Sequence, residues 1–226
     1  MKKQLILLFV AVTCFTAQGI AQLSFGPIAG VNYSTLKTNY ENSEDEPDPN
    51  DPSSGIGFHL GGVVNYGLTE SGGLRTGLIF SQRGVTDTFS FEFTILDVTT
   101  KTEVETKAKY NYLEIPVMFF KNFGESITFF IGPQASLLMG AKYTSESSTS
   151  VGGTTTTETS TLDGDDAKDG LSGVTIDGVV GAQINLASGL NVGLRYGMGL
   201  TPVNDEFTDI AKSKFGVAAL SVGFTL

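Results

Sequence analysis

Residues 174–200 read VTIDGVVGAQINLASGLNVGLRYGMGL. Apolar residues fall at alternating positions before the tight turn ASG (Ile176, Val180, Ala182, Ile184) and after it (Leu190, Val192, Leu194, Tyr196, Met198). The intervening places hold Asp177, Gly181, Gln183 and Asn185, then Asn191, Gly193, Arg195, Gly197 and Gly199. A period of two puts each set on its own face of a strand. Two such strands joined by so short a turn form an antiparallel hairpin. One face of the hairpin is apolar throughout. The other mixes glycine with amides and charges.

The same pattern runs outward in both directions. The first strand, Ser24–Leu36, sets Ala29, Val31 and Tyr33 against Gly30, Asn32 and Ser34. The second, 55–68, sets Phe58, Leu60, Val64 and Tyr66 against His59, Gly61, Asn65 and Gly67. In the third, 74–88, Leu74, Leu78 and Phe80 oppose Arg75, Gly77, Ser81 and Arg83. The fourth, Tyr110–Lys121, opposes Leu113, Ile115, Val117 and Phe119 to Tyr112, Glu114, Pro116 and Met118. The fifth spans 127–143, and the quoted stretch supplies the sixth and seventh. The eighth ends the chain with Ala218, Leu220, Val222, Phe224 and Leu226 on one face.

The connections alternate between long and short. The short ones are 69–73, 122–126 and 187–189. The long ones are polar: residues 39–54 hold six acids, three prolines and no base. Residues 89–106 read as a hairpin tip that carries the third and fourth strands beyond a membrane. Residues 145–170, rich in Ser, Thr, Gly and Asp, are either mobile or an extended hairpin. Residues 201–213 read as a loop. The fold class is therefore all-β: an eight-stranded antiparallel transmembrane β-barrel of up-and-down topology, with both termini at the short-turn, periplasmic end. A soluble barrel would turn its apolar row inward. Charged residues among glycines on the opposite row, the alternating connection lengths and the apolar last strand select the membrane form.

Lys2 and Lys3 precede an apolar run from Leu5 to Phe15, and small residues follow at Gly19 and Ala21. This is the pattern of a signal peptide over 1–21, leaving 22–226 as the barrel domain. The run is too short to cross a bilayer as a helix, which needs about 20 residues. Cys14 is the only cysteine, so the mature chain contains no disulfide, thiolate metal site or cysteine nucleophile. Losing Lys2 and Lys3 leaves 12 basic residues against 24 acidic, a net charge of −12. No basic cluster is present for nucleic acid.

The stretch YLEIPV places Tyr112, Leu113, Glu114, Ile115 and Pro116 in a strand motif, and it stands in order with AGVNYSTL, IGPQASLL and GLNVGLRYGMGL. Together they resemble the outer-membrane β-barrel "porin family" of Bacteroidota, often called PorT-like, over residues 22–226. The resemblance implies an eight-stranded outer-membrane barrel with no shared catalytic activity, some members assisting protein secretion. This chain departs from the usual pattern in ending on Leu226 rather than Phe, with Phe224 on the same face, and in having no Trp. Phe224 and Leu226 are the candidate assembly signal for the insertion machinery.

Arg75, Arg83, Glu114, Asp177 and Arg195 share the polar row and form a candidate ionic network filling a narrow lumen. His59, the only histidine, has neither a second histidine nor a cysteine with which to build a metal site, and reads as a packed lumen residue. In DGDDAKDG, Asp163 to Gly170, Ala167 and Lys168 occupy the fifth and sixth places of a calcium loop, so a solvated acidic loop is expected. No catalytic set, metal site or cofactor motif is present. The expected protein is a monomeric outer-membrane barrel of structural or binding role with acidic outer loops. Its expected partners are membrane lipid and the barrel-assembly machinery. An accessory of a secretion or envelope-assembly machine and a small pore are the alternatives.

Overall fold

The computed structural model describes residues 23–40, 53–95, 98–186, 188–205 and 211–226. The described residues form nine antiparallel strands: β1 Leu23–Tyr40, β2 Ser53–Thr69, β3 Gly72–Ile95, β4 Val98–Phe123, β5 Ile127–Val151, β6 Thr154–Gly164, β7 Val174–Asn185, β8 Leu190–Gly199 and β9 Ala211–Phe224. Eight of them close a ring in the order β1-β2-β3-β4-β5-β7-β8-β9, with β9 returning to β1. The closing ladder runs from Ile28↔Gly223 to Tyr40↔Ala211. The Leu226 amide extends it by donating to the Phe25 carbonyl at 2.9 Å. The ninth strand, β6, pairs only with the upper part of β5 and lies outside the ring. The leader over 1–21 and the acidic stretch over 41–52 lie outside the described residues.

The apolar rows face outward and the polar rows inward. Val31 and Tyr33 are half exposed on β1, while Asn32 and Ser34 between them are fully buried. The same alternation exposes Phe58, Leu78, Phe119, Ile131, Leu194 and Leu220, and buries His59, Ser81, Glu114, Ser136, Asp177 and Arg195. An outward apolar band of this extent is how a barrel meets lipid. No helix of the described residues is long and apolar enough to span a bilayer.

Three strands far exceed the roughly 9–11 residues a crossing needs. β3, β4 and β5 have 24, 26 and 25 residues. Beyond Thr86 on β3 no β2 partner remains, and beyond Leu137 on β5 no β7 partner remains. Past those points β3, β4, β5 and β6 pair with one another and project as a separate sheet. Residues 145–170 are thus largely an extended hairpin, followed by a short 3₁₀ turn at Asp166–Lys168. The last strand begins at Ala211, which corrects the loop expected through residue 213. Lys212, Ser213 and Lys214 pair with Asn39, Thr38 and Lys37 at the polar end of β1, where apolar alternation gives no signal.

Candidate functional site

Among the described residues, buried side chains fill the lumen from the projecting sheet to the turn end. Nearest the projecting sheet is an aromatic plug. Tyr110 meets Phe215 edge-on with ring centres 5.3 Å apart, and Tyr112 meets the same ring at 6.4 Å. Val85, Val217, Ala141, Ala167 and Val203 complete the plug. A bulge in β5 at Met139, between the partners of Asn111 (Gly140) and Tyr112 (Leu138), shifts the register of that strand. That shift turns Ala141 inward and lets Tyr143 donate to the Tyr110 hydroxyl at 3.2 Å. Period-two reasoning misses this plug, because here apolar side chains occupy the inner row.

Next comes the charged cluster. Arg83 Nη2 donates to Glu114 Oε1 at 3.0 Å, to Asp177 Oδ2 at 2.7 Å and to Ser136 Oγ at 2.9 Å. Arg195 Nη2 donates to the other oxygen of Glu114 at 2.9 Å. Ser136 and Gln134 add donors to Asp177. The Arg83 guanidinium lies 4.6 Å from the centre of the Tyr112 ring and 5.5 Å from that of Phe215, so the ring faces share its charge with the carboxylates. Two cations and two anions meet in space too tight for an open pore: the cavities beside them are about 10 and 40 Å³, where a single water needs about 10–15 Å³.

The motif residues divide between the two faces. Tyr112 stacks on Arg83, Glu114 bridges Arg83 and Arg195, and Pro116 is fully buried in the wall. Leu113 and Ile115 alternate with them on the outer row. Proline has no amide hydrogen to donate, and the β3–β4 ladder skips Ile115 and Pro116.

A neutral network lies alongside. His59 Nδ1 meets Asn32 Oδ1 at 2.8 Å, and its Nε2 meets Ser221 Oγ at 2.9 Å. Asn32 Nδ2 donates to Ser81 and to the carbonyls of Phe58 and Gln82. With that amide oriented as a donor, Asn32 Oδ1 must accept, which places a hydrogen on His59 Nδ1. Gly30 makes room for the ring: a Cβ there would stand 2.6 Å from His59 Cε1.

Arg75 does not join the charged cluster. It lies toward the turn end, 6% exposed, with Nε donating to Asn65 Oδ1 at 2.6 Å and Nη1 to Gln183 Oε1 at 2.8 Å. Its guanidinium is 4.9 Å from the centre of the Phe130 ring. Below it a cup of about 560 Å³ opens among the short turns. Phe224 and Leu226 are exposed on the outer surface at the same end. In the DGDDAKDG run, Lys168 pairs with Asp165 at 2.7 Å and lowers its carboxyl pKa, and Ala167 turns into the plug. Among the described residues no three His, Cys, Asp or Glu side chains converge on a point.

A family model described as "Outer membrane protein beta-barrel domain" matches residues 16–205. The chain belongs to that family. Outer-membrane location follows from this membership and from the apolar outer band. No curated protein sequence matches the chain. Similar solved structures include Ail, the attachment invasion locus protein of Yersinia pestis, with 15% identity over 91% of this chain and 99% of that one (TM-score 0.42). Neisserial surface protein A has 12% identity over 88% and 96% (TM-score 0.37). The outer membrane protease OmpT from Escherichia coli has 8% identity over 91% and 95% (TM-score 0.33).

Proposed function

We propose that this family member is a closed, non-catalytic, monomeric barrel that anchors a binding platform on the cell exterior. The observation that carries this reading is the pairing of a filled lumen with a projecting sheet. Along one face of that sheet Phe89, Phe91 and Phe93 form an exposed ladder, with ring centres 6.0 and 6.4 Å apart. Their cross-strand neighbours are Val104, Thr102 and Thr100, all uncharged. The opposite face carries Glu92, Lys101 and Glu103. Exposed aromatics in a row outside the barrel mark a contact surface rather than a core.

The short turns share one end with the start of β1 at Leu23 and with Leu226, which supports a periplasmic position for that end and an outer position for the sheet and the acidic loops. Assembly then requires the barrel-insertion machinery, with Phe224 and Leu226 as the recognised terminus. The YLEIP motif and its companions favour a second reading, a PorT-like accessory of a Bacteroidota secretion or envelope-assembly machine. On either reading the lumen does not conduct. Purified protein in planar bilayers is expected to give no conductance steps. A photo-crosslinker at Phe91 in native outer membranes should capture an outer partner, and one captured from the turn end instead would favour the assembly role. Steady single-channel currents would overturn the closed-barrel reading.

A further inference from the structure

Among the described residues the lumen buries three cations, Arg75, Arg83 and Arg195, and two anions, Glu114 and Asp177. The carboxylates are taken up by Arg83 and Arg195, so the uncompensated charge is Arg75. A buried charge without a counter-charge is costly. Here the cation faces a cup large enough for a small ligand, within the usual span of about 300–1,000 Å³.

The side-chain hydrogen bonds that lead out from Arg75 run in one sense. Arg75 donates to Asn65, whose Nδ2 donates to Ser24 Oγ at 3.1 Å. On the other side Arg75 donates to Gln183, whose Nε2 donates to Asn185 Oδ1 at 2.5 Å. Asn185 Nδ2 then donates to Thr128 Oγ1 at 2.9 Å, and Thr128 to Asn122 Oδ1 at 2.8 Å. Each amide oxygen is used on the side toward Arg75, so the belt ends in donors, the Asn122 amide and the Ser24 hydroxyl. Such a chain spreads the guanidinium's positive polarity around the cup. The second terminal nitrogen of Arg75 has no partner among the described residues. At the rim the polarity reverses, for Glu70 and Glu125 stand exposed on the turns.

We propose that this cup binds a short peptide with a free C-terminus. The carboxylate sits on Arg75, peptide amides meet the belt, and the terminal ammonium points back to Glu70 and Glu125. The fixed plane of Arg75, held by Asn65, Gln183 and the Phe130 ring, suits the fork geometry of a carboxylate. The rim acids disfavour a multiply charged anion and favour a dipolar one. The site does not depend on the binding role proposed for the opposite end.

The test uses the full barrel in lipid nanodiscs, isotope-labelled, titrated with triglycine, acetate and inorganic phosphate. Triglycine is expected to shift the side-chain amide signals of Asn65, Gln183 and Asn122 saturably, leaving those of the Asn32 network unmoved. Arg75→Gln should weaken binding at least tenfold. Arg75→Lys, which keeps the charge but loses the fork, should weaken it less. The pair Glu70→Gln and Glu125→Gln should weaken triglycine about threefold and acetate not at all. Absence of saturable shifts, equal binding of phosphate or acetate, or unchanged affinity in folded Arg75→Gln protein would each overturn the proposal. If Arg75→Gln fails to fold, the wild-type shift map decides, since shifts centred away from the belt refute it.

Discussion

The two halves of β5 follow different rules. From Ile127 to Leu138 the strand alternates exposed and buried residues, because one face meets lipid and the other the packed lumen. From Thr144 to Val151 no residue is buried, and its partner β6 is exposed along its whole length. The composition changes with the environment: Phe129, Ile131, Ala135 and Leu137 give way to Thr144, Ser145, Ser147, Ser148 and Thr149. Ladder hydrogen bonds continue across the boundary while the side-chain contribution to stability stops. Below the boundary an unpaired backbone group would sit in hydrocarbon at several kcal/mol; above it water is available. The lower half makes the barrel, and the upper half is free to present a surface.

The most damaging test of that division is loss of the closing segment. Deleting Gly223 to Leu226 removes the Ile28↔Gly223 and Leu190↔Phe224 pairings and both hydrogen bonds between Phe25 and Leu226. Open edges in lipid have no remedy. The truncated chain should disappear from heat-modifiable outer-membrane fractions, whereas Leu226→Phe should insert normally. Folded truncated protein at wild-type levels would mean that closure tolerates this gap.

Within the lower half, Glu114→Gln should cost about 3–5 kcal/mol, since two buried guanidiniums would then share only Asp177. Adding Arg195→Gln removes the stranded cation, so the double variant should be less destabilised than the two single losses combined. Urea unfolding in micelles would read the difference, and strict additivity would show that the cluster does not act as a unit. On the outer row, Leu194→Arg places a charge mid-strand at a 61% exposed position. That should cost about 2–4 kcal/mol in a bilayer. Thr161→Arg on β6 should change stability by less than about 0.5 kcal/mol. Equal effects at the two positions would erase the boundary.

This contrast also explains what could be read before the structure. The eight crossings and their inner and outer rows were legible, because lipid outside and packed polar groups inside impose a strict period of two. Arg83, Glu114, Asp177 and Arg195 could be placed on one row for the same reason. Their meeting with each other and not with Arg75 depends on height in the barrel and on stagger between strands, which no single strand encodes. The plug was illegible because Tyr110 and Phe215 put large rings on the inner row, and the bulge opposite Asn111 and Tyr112 shifts parity. The Ser and Thr run left hairpin and mobile chain unresolved, since an exposed sheet needs no apolar alternation.

The smallest expected effect is the most specific to the comparison. Tyr143 and Leu162 are directly paired, so Thr144 through Thr161 can be replaced by an Asn-Gly turn that suits a two-residue hairpin. The excision discards all of the fully exposed strand above Leu162. It retains the Tyr143 to Tyr110 hydrogen bond and the 3₁₀ turn that inserts Ala167 into the plug. β4 keeps its ladder with β3 up to Ile95↔Val98, so its projecting part is not left alone. Because no buried side chain is lost, the urea midpoint of the barrel should move by no more than the equivalent of about 0.5 kcal/mol. Crosslinking from Phe91 should fall if the partner lies across β5 and β6, and persist if the Phe ladder alone makes the contact. A shift well beyond that size would show that the projecting strands brace the barrel, and the two halves would then be one cooperative unit.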